Sequence, residues 1–445
     1  MTSCLEKLSP ELQILILLQL PSTQSLYSLI RASPQYYQVF LTWKERILSA
    51  VVGRMVIPHV LPDAIAAVGA SHLEPRGPGR ETVVSSIESF QYDRKIDHSK
   101  KLLPLATSVS LCQLHRSVEY FVNDYTRRTT AALKQYCQST GLTHRSEITQ
   151  TPEGQHVPLS SIEEGRLHRA FYRLELYGRL FYRKPFTEKK LSALEQAHIF
   201  LAEFPPWEVE ELACIRDYIL LRLADVFDQV EEDFVKSILA EGHNNDDEND
   251  TKSAPPADID DDDNDNNDDD NDDDEHAINK NEDEDEDEDE DEGEDEDGLI
   301  GPDRFDGKDY FFSKHSKVSY HDAYMEYMLS LGLPFLRHIF EASGEERTRS
   351  IIANGQHGGD FLSKALKAPP KQTVALEEEE TAEDNGLVLQ FQEDNLTERN
   401  EAWLWSKDFR PSVLWNELGA EGLREWGYVF WDSSRLRASG ILIER

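Results

Sequence analysis

A run of acidic residues near the middle of the chain sets the strongest limit on how the polypeptide can fold. Between Asp246 and Asp297 there are 32 Asp and Glu residues and only two lysines, a net charge of −30. A segment with this charge and almost no apolar side chains cannot bury enough surface to offset the entropy of ordering it. We therefore expect residues 243–298 to be disordered. Because the whole chain carries −40, the other residues carry only −10 and have an ordinary composition.

The acidic run has two interpretations. The simpler one is a solvated spacer whose like charges keep it extended. The other is a docking segment for basic proteins such as histones or ribosomal proteins, because long acidic runs attract cations at long range and lose that attraction in salt. Nucleic acid is not an expected partner, since no run of Lys and Arg supplies the basic face that phosphates require.

Three helical signals follow one another in the first 52 residues. Ser9-Pro10, Ser22 and Ser33-Pro34 each suit the start of a helix. The first of these helices, over residues 12–20, is apolar on nearly every side. A module of about 45 residues cannot bury such a helix alone. Either the rest of the chain or a partner protein must therefore complete its burial.

The apolar segment 12–20 could be mistaken for a membrane or secretion signal. It is shorter than the roughly 20 residues that cross a bilayer, and it lacks the basic region and the cleavage site of a signal peptide. The four cysteines form no CxxC pair, which indicates reduced and mostly buried thiols. We expect an intracellular protein, nuclear or cytoplasmic, that does not bind membranes.

Apolar residues at spacings of three and four predict helices through most of the remaining chain. The predicted helices cover about 104–138, a stretch after the capping-box pattern Ser161-x-x-Glu164, about 188–203, a long segment from Pro205 to about Gly242, and segments that begin at Ser319 and Pro334. Alternation with a period of two is scarce, so the expected class is all-α, with short strands considered only near residues 428–431. Five of the seven tryptophans lie between Trp403 and Trp431, which predicts that the C-terminus docks onto the body.

These patterns divide the chain into four parts. They are a three-helix module over 1–52, a larger irregular helical body over 53–242 and 299–445, and the disordered acidic insertion 243–298 between the two parts of the body. A second flexible loop is expected at about 367–386, where two prolines and four consecutive glutamates occur.

The motifs of catalysis are missing or incomplete. There is no G-x-S-x-G and no H-E-x-x-H, and residues 301–308 (GPDRFDGK) have one residue too many for a phosphate-binding loop. His321 and Asp322 are adjacent, so they do not face each other on a helix. His357 is a lone histidine in a glycine-rich turn. We therefore predict no catalytic residue, no metal ligand, no cofactor and no enzymatic activity.

The N-terminus resembles a known family. Leu8-Ser-Pro-Glu-Leu-Gln-Ile-Leu-Ile-Leu-Leu-Gln-Leu-Pro21, with Leu26 and Leu29 further along, is similar to the F-box. The segment from Leu26 to Phe40 resembles the F-box-like proteins of filamentous fungi. Residues 169–177, 205–213 and 423–432 also resemble segments shared by that group.

This resemblance implies an adaptor that binds a Skp-type adaptor of a cullin–RING ubiquitin ligase and recruits an unknown protein substrate. It also implies which residues contact the Skp-type adaptor: Leu8, Pro10, Leu12, Ile16, Leu20, Leu26 and Leu29. Two alternatives stay open. Residues 12–20 are the first core helix of one large helical domain, or the chain is a scaffold without a ligase connection that binds basic proteins through Asp246–Asp297.

Overall fold

The computed structural model describes residues 4–73, 79–96, 101–141, 158–181, 191–248, 319–354, 361–367, 401–409 and 422–442. All regular structure in these residues is helical, which confirms the predicted all-α class. Contacts group residues 1–231 and 300–445 into one compact unit and residues 232–299 into a second. None of the helices described has the combination of length and apolar character that a membrane crossing needs.

The N-terminal module contains three helices, α1 (Pro10–Leu18), α2 (Thr23–Ala32) and α3 (Pro34–Met55). The serines predicted to start them stand at the N-cap of each helix. Ser22 and Ser33 accept hydrogen bonds from the backbone N–H groups of Ser25 and Tyr36, which satisfies donors that have no partner inside the helix. Trp43 has non-helical backbone angles, so α3 is kinked there, and its side chain is 43% exposed.

The body is built from the remaining helices. They are α4 (Leu61–Ala70), α5 (Arg80–Arg94), α6 (Leu105–Ser139), α7 (Ser161–Phe181), α8 (Ala193–Ile199), α9 (Pro206–Glu248), α10 (Ser319–Ser330), α11 (Leu333–Glu341), α12 (Gly344–Ile352), α13 (Leu362–Lys367), α14 (Glu401–Phe409) and α15 (Ser433–Ala438). The predicted apolar faces of α6, α7 and α9 are all buried.

Three predicted boundaries differ from the structure. The long helix α9 continues through Gly242 and extends six residues into the segment expected to be disordered, because helix propagation needs only local hydrogen bonds. The helix expected over 188–203 is α8 followed by a short 3₁₀ turn, with residues 182–190 outside the described part. Tyr428–Phe430 forms a 3₁₀ turn instead of a strand. The expected loop at 367–386 lies almost wholly outside the described residues.

Helix α7 is the centre of the body, and it is buried on all sides. The apolar side chains at spacings of three and four from Leu167 to Phe181 pack in the core, but the opposite face is buried as well. That face carries Arg166, Arg169 and Arg173, each at most 3% exposed. Buried guanidinium groups need charged partners, because an isolated buried charge is very costly.

Carboxylates from distant parts of the chain supply those partners. Arg173 contacts Asp63 of α4 at 2.7 Å and Glu208 of α9 at 2.6 Å. Arg169 contacts Glu208 at 2.9 Å and Glu211 at 2.6 Å. Burial alone would raise the pKa of Glu208, but the guanidinium groups of Arg173, Arg169 and Arg94 hold it below its ordinary value. We call this cluster the α7 charge network.

The C-terminal segment 422–442 docks onto the body through similar pairs. Arg166 of α7 contacts Asp432 at 3.0 Å, and Arg435 contacts Glu163 at 2.6 Å. Trp403, Trp426 and Trp431 are each at most 1% exposed, which confirms the docking predicted from the tryptophans.

We expect the substitution Glu208→Gln to destabilise the fold by about 3 kcal/mol, because it leaves Arg169 and Arg173 buried with too few countercharges. Urea unfolding followed by circular dichroism measures the change. The matched control is Glu345→Gln, whose side chain is 93% exposed and pairs only with Arg349 of the same helix. That control should change the unfolding free energy by less than about 0.5 kcal/mol. Equal losses of unfolding free energy in the two variants would mean that the α7 charge network does not stabilise the fold.

A second stability test concerns Gly427, just before the 3₁₀ turn of the C-terminal segment. Its φ is +65°, and a Cβ atom there would collide with the phenol of Tyr125. We expect Gly427→Ala to lower the unfolding free energy by about 3 kcal/mol, from backbone strain and displaced packing. Gly53→Ala is the control, because a Cβ in that helical position meets nothing within 4 Å. Gly53→Ala should stabilise the protein by up to about 1 kcal/mol. A loss of stability in Gly53→Ala equal to that in Gly427→Ala would contradict the explanation by strain and collision at Gly427.

Candidate partner-binding surface

The N-terminal module has a hydrophobic core of its own. Its buried members are Leu17, Leu26, Tyr36, Ile47 and Val51. The large core of the body is a separate cluster that begins at the next residue, Val52. The body therefore does not use the outer side of α1 to complete its own interior.

Helix α1 has one covered and one open face. Gln13 and Leu17, four residues apart, are fully buried. Leu12 and Leu15 are 47% and 54% exposed, and because they are three residues apart they share a side of the helix. An apolar helix is thus covered only in part by its own chain, and the two leucines are open to solvent.

A short 3₁₀ turn at Cys4–Lys7 fixes the start of α1. The amide of Gln13 donates to the carbonyl oxygens of Leu8 at 3.1 Å and Glu6 at 3.3 Å. The Ser33 hydroxyl donates to the Glu6 carboxylate at 2.6 Å, which ties the turn to the start of α3. These bonds hold the open face of α1 in a defined orientation.

Two ionisable groups mark the charge near this surface. A hydrogen bond from Ser9 lowers the pKa of Glu11 in the first turn of α1, so this exposed side chain is a carboxylate at neutral pH. Burial, and then the charge of Glu6, raise the pKa of Tyr36, so its phenol stays protonated and donates to the Leu5 carbonyl at 3.4 Å. The open face of α1 is thus an apolar surface beside the exposed carboxylate of Glu11.

The residues predicted to contact a Skp-type adaptor fall into three groups. Pro10 and Leu12 are exposed. The half-buried ones are Leu8, Ile16, Leu20 and Leu29, and the last three of these pack against the module core. Leu26 is only 3% exposed, so it stabilises the module from inside and offers no surface to a partner in this structure.

Several exposed apolar residues of the module were not selected from the sequence. They are Leu5, Leu15, Tyr27, Tyr37, Leu41 and Trp43. With Leu12, they make up seven of the fourteen large apolar side chains that are exposed among the described residues. The spacing of Leu12 and Leu15 is the signal that could have identified Leu15, because residues three apart lie on one face of a helix.

The sequence segments considered for catalysis add no site. Residues 301–308 and His357 lie outside the described part of the chain, and His321 and Asp322 lie in α10 with side chains that are also outside it. Of the four cysteines, Cys112, Cys137 and Cys214 are free and buried, as predicted. Burial raises the pKa of the Cys214 thiol, which keeps it protonated.

Comparison with known proteins adds no family to this description. The chain shows no significant similarity to any protein-family model, curated protein or solved structure. The likeness to the F-box therefore stays a resemblance, carried by the residues quoted above.

Proposed function

We propose that this chain is an F-box-type adaptor. Its N-terminal module binds a Skp-type adaptor of a cullin–RING ubiquitin ligase, and its helical body recruits a protein substrate. The chain carries out no chemistry itself in this proposal, because ubiquitin transfer belongs to the partner proteins.

The open face of α1 is the observation that carries this proposal. Leu12 and Leu15 are each about half exposed on a helix whose other side is sealed by the module core. A module that retains its own small core can keep an apolar face free without unfolding. The concentration of exposed apolar side chains in the first 43 residues supports the same interpretation, because such clusters mark protein-binding surfaces.

The body suits the role of a rigid substrate carrier. The α7 charge network and the docked C-terminal segment join distant parts of the chain, such as Glu163 and Arg435, which are 272 positions apart. Because these contacts fix the body, a substrate bound to it keeps a constant orientation relative to the Skp-type adaptor that the module binds.

We expect the double substitution Leu12→Asp with Leu15→Asp to weaken binding of a purified Skp-type adaptor by about 100-fold or more, because it places charges where apolar contact forms. Biolayer interferometry on the full-length chain measures the affinity. Both positions are exposed, so the variant should keep the circular dichroism spectrum and unfolding midpoint of the wild type.

The matched control is the double substitution Leu194→Asp with Leu221→Asp, which changes two leucines exposed at 51% and 44% on the body. It should bind the Skp-type adaptor as the wild type does. An undetectable affinity of the wild-type chain, or an equal affinity of both double variants, would rule out the proposed surface.

The scaffold alternative makes a different prediction about the acidic run. We expect removal of residues 243–298 to leave affinity for the Skp-type adaptor within about twofold of wild type, because the buried side chains of α9, among those that the structure describes, end at Val230, before this segment. The same binding assay measures it. If the deletion abolishes all binding while the Leu12/Leu15 variant retains it, the scaffold alternative is correct.

A further inference from the structure

A cluster of histidine and glutamate side chains lies between α6 and α7. His115 and Glu119 are four residues apart on α6, and Glu164 and His168 are four residues apart on α7, so each pair shares one helical face. The same carboxylate oxygen, Oε1 of Glu119, lies 3.2 Å from Nε2 of His115 and 3.3 Å from Nε2 of His168. One ligand atom each from Glu119, Glu164 and His168 lies within 4.8 Å of the others.

His168 is the least satisfied member of this cluster. Its side chain is 1% exposed, and neither ring nitrogen has a hydrogen-bond partner. The approach of its Nε2 to Glu119 has the distance of an ion pair without the alignment of a hydrogen bond. Burying polar nitrogen atoms without partners is costly, which points to a ligand that this face of α7 is built to meet.

His115 holds the Glu119 carboxylate from the same helix. Its Nδ1 lies 2.8 Å from the hydroxyl of Tyr172, which leaves Nε2 directed at Glu119. Side chains that bind metals are typically oriented by such partners behind them.

The separations suit shared coordination of one ion. Nitrogen and oxygen ligands about 2.0–2.1 Å from a tetrahedral Zn²⁺ lie about 3.3 Å from one another. Glu119 Oε1 lies 3.3 Å from Nε2 of His168, and Glu164 offers a ligand atom within 4.8 Å of both residues' ligand atoms. The Glu119 side chain is also 44% exposed, which gives an ion a path from solvent to the buried His168.

We propose that Glu119, Glu164 and His168 bind one divalent transition-metal ion such as Zn²⁺, and that His115 is a positioning residue that holds the Glu119 carboxylate. Imidazole nitrogen favours such ions over Mg²⁺ and Ca²⁺, and carboxylate oxygen is compatible with them. The ion links α6 to α7 and therefore fixes the central helix of the body from the side opposite its arginines. This site is independent of the surface on α1.

Sequence patterns alone did not reveal this site. Glu164 was assigned to a capping box with Ser161, but the box in the structure is one residue earlier. The Ser160 hydroxyl accepts from the Glu163 amide at 3.1 Å, and the Glu163 carboxylate accepts from the Ser160 amide at 3.0 Å. Glu164 is therefore not needed at the helix start and belongs to the cluster with His168.

Zinc titration of the full-length protein tests the proposal. Chelator-treated protein is titrated with Zn²⁺ by isothermal calorimetry in millimolar Mg²⁺, which occupies the carboxylates of the acidic run. We expect one site whose affinity falls at least about 100-fold in His168→Gln and in Glu119→Gln. Replacing Zn²⁺ by Co²⁺ should give the intense visible absorption of a tetrahedral site in the wild type only.

The matched control is His338→Gln, an exposed histidine of α11 that should leave zinc binding unchanged. His115→Gln keeps the three ligands and removes the imidazole that holds Glu119, so it should weaken zinc binding about tenfold. If His168→Gln does not fold, the same zinc titration is carried out on Glu164→Gln, because Glu164 lies at the partly exposed edge of the site. The proposal is overturned if the wild type and the folded ligand variants bind zinc with equal affinity. It is also overturned if the wild type binds no zinc.

Discussion

The burial of three arginines on α7 is the constraint on which the rest of the body depends. Each guanidinium is charged and excluded from water, so the fold must bring a carboxylate to it. Burial alone would lower the pKa of Arg173, but Glu208 and Asp63 raise it, and the group stays charged. Helices α4 and α9 and the C-terminal segment each supply such carboxylates. Their positions around α7 are therefore set by ion pairs as well as by apolar packing.

This constraint explains which parts of the fold could be predicted from the sequence. The apolar stripe of α7 was correct because a spacing of three and four marks one buried face. The other face carries arginines, and charged residues on a predicted helix usually face solvent. Their partners are as far away as Asp432, which is 266 residues from Arg166. Periodicity is a local signal, so it could locate the helix but not the pairing that buries its charged side.

The N-terminal module shows a different limit. Its helix starts were correct, because serine caps and proline at the first turn act locally. The orientation of α1 could not be predicted, because nearly every residue over 12–20 is apolar and the sequence has no polar side to set against a buried side. The exceptions are Gln13, which faces inward, where its amide holds the preceding turn, and Gln19, which is exposed at the end of the helix. Leu12 therefore turned out to be exposed, while Leu26 of α2 turned out to be a core residue.

Helix α3 decides how a partner bound to the module would be positioned relative to the body. Its last turns carry Val51 in the module core and Val52 in the body core, so one continuous helix belongs to both. The Ser49 hydroxyl also accepts a hydrogen bond from the Leu103 amide at 2.9 Å, just before α6 begins. The kink at Trp43 lies before this junction, so the shared part of α3 is regular helix. In the proposed adaptor, a protein docked on α1 is thus connected to α6 through α3, and the substrate carried by the body is presented for ubiquitin transfer by the partner proteins.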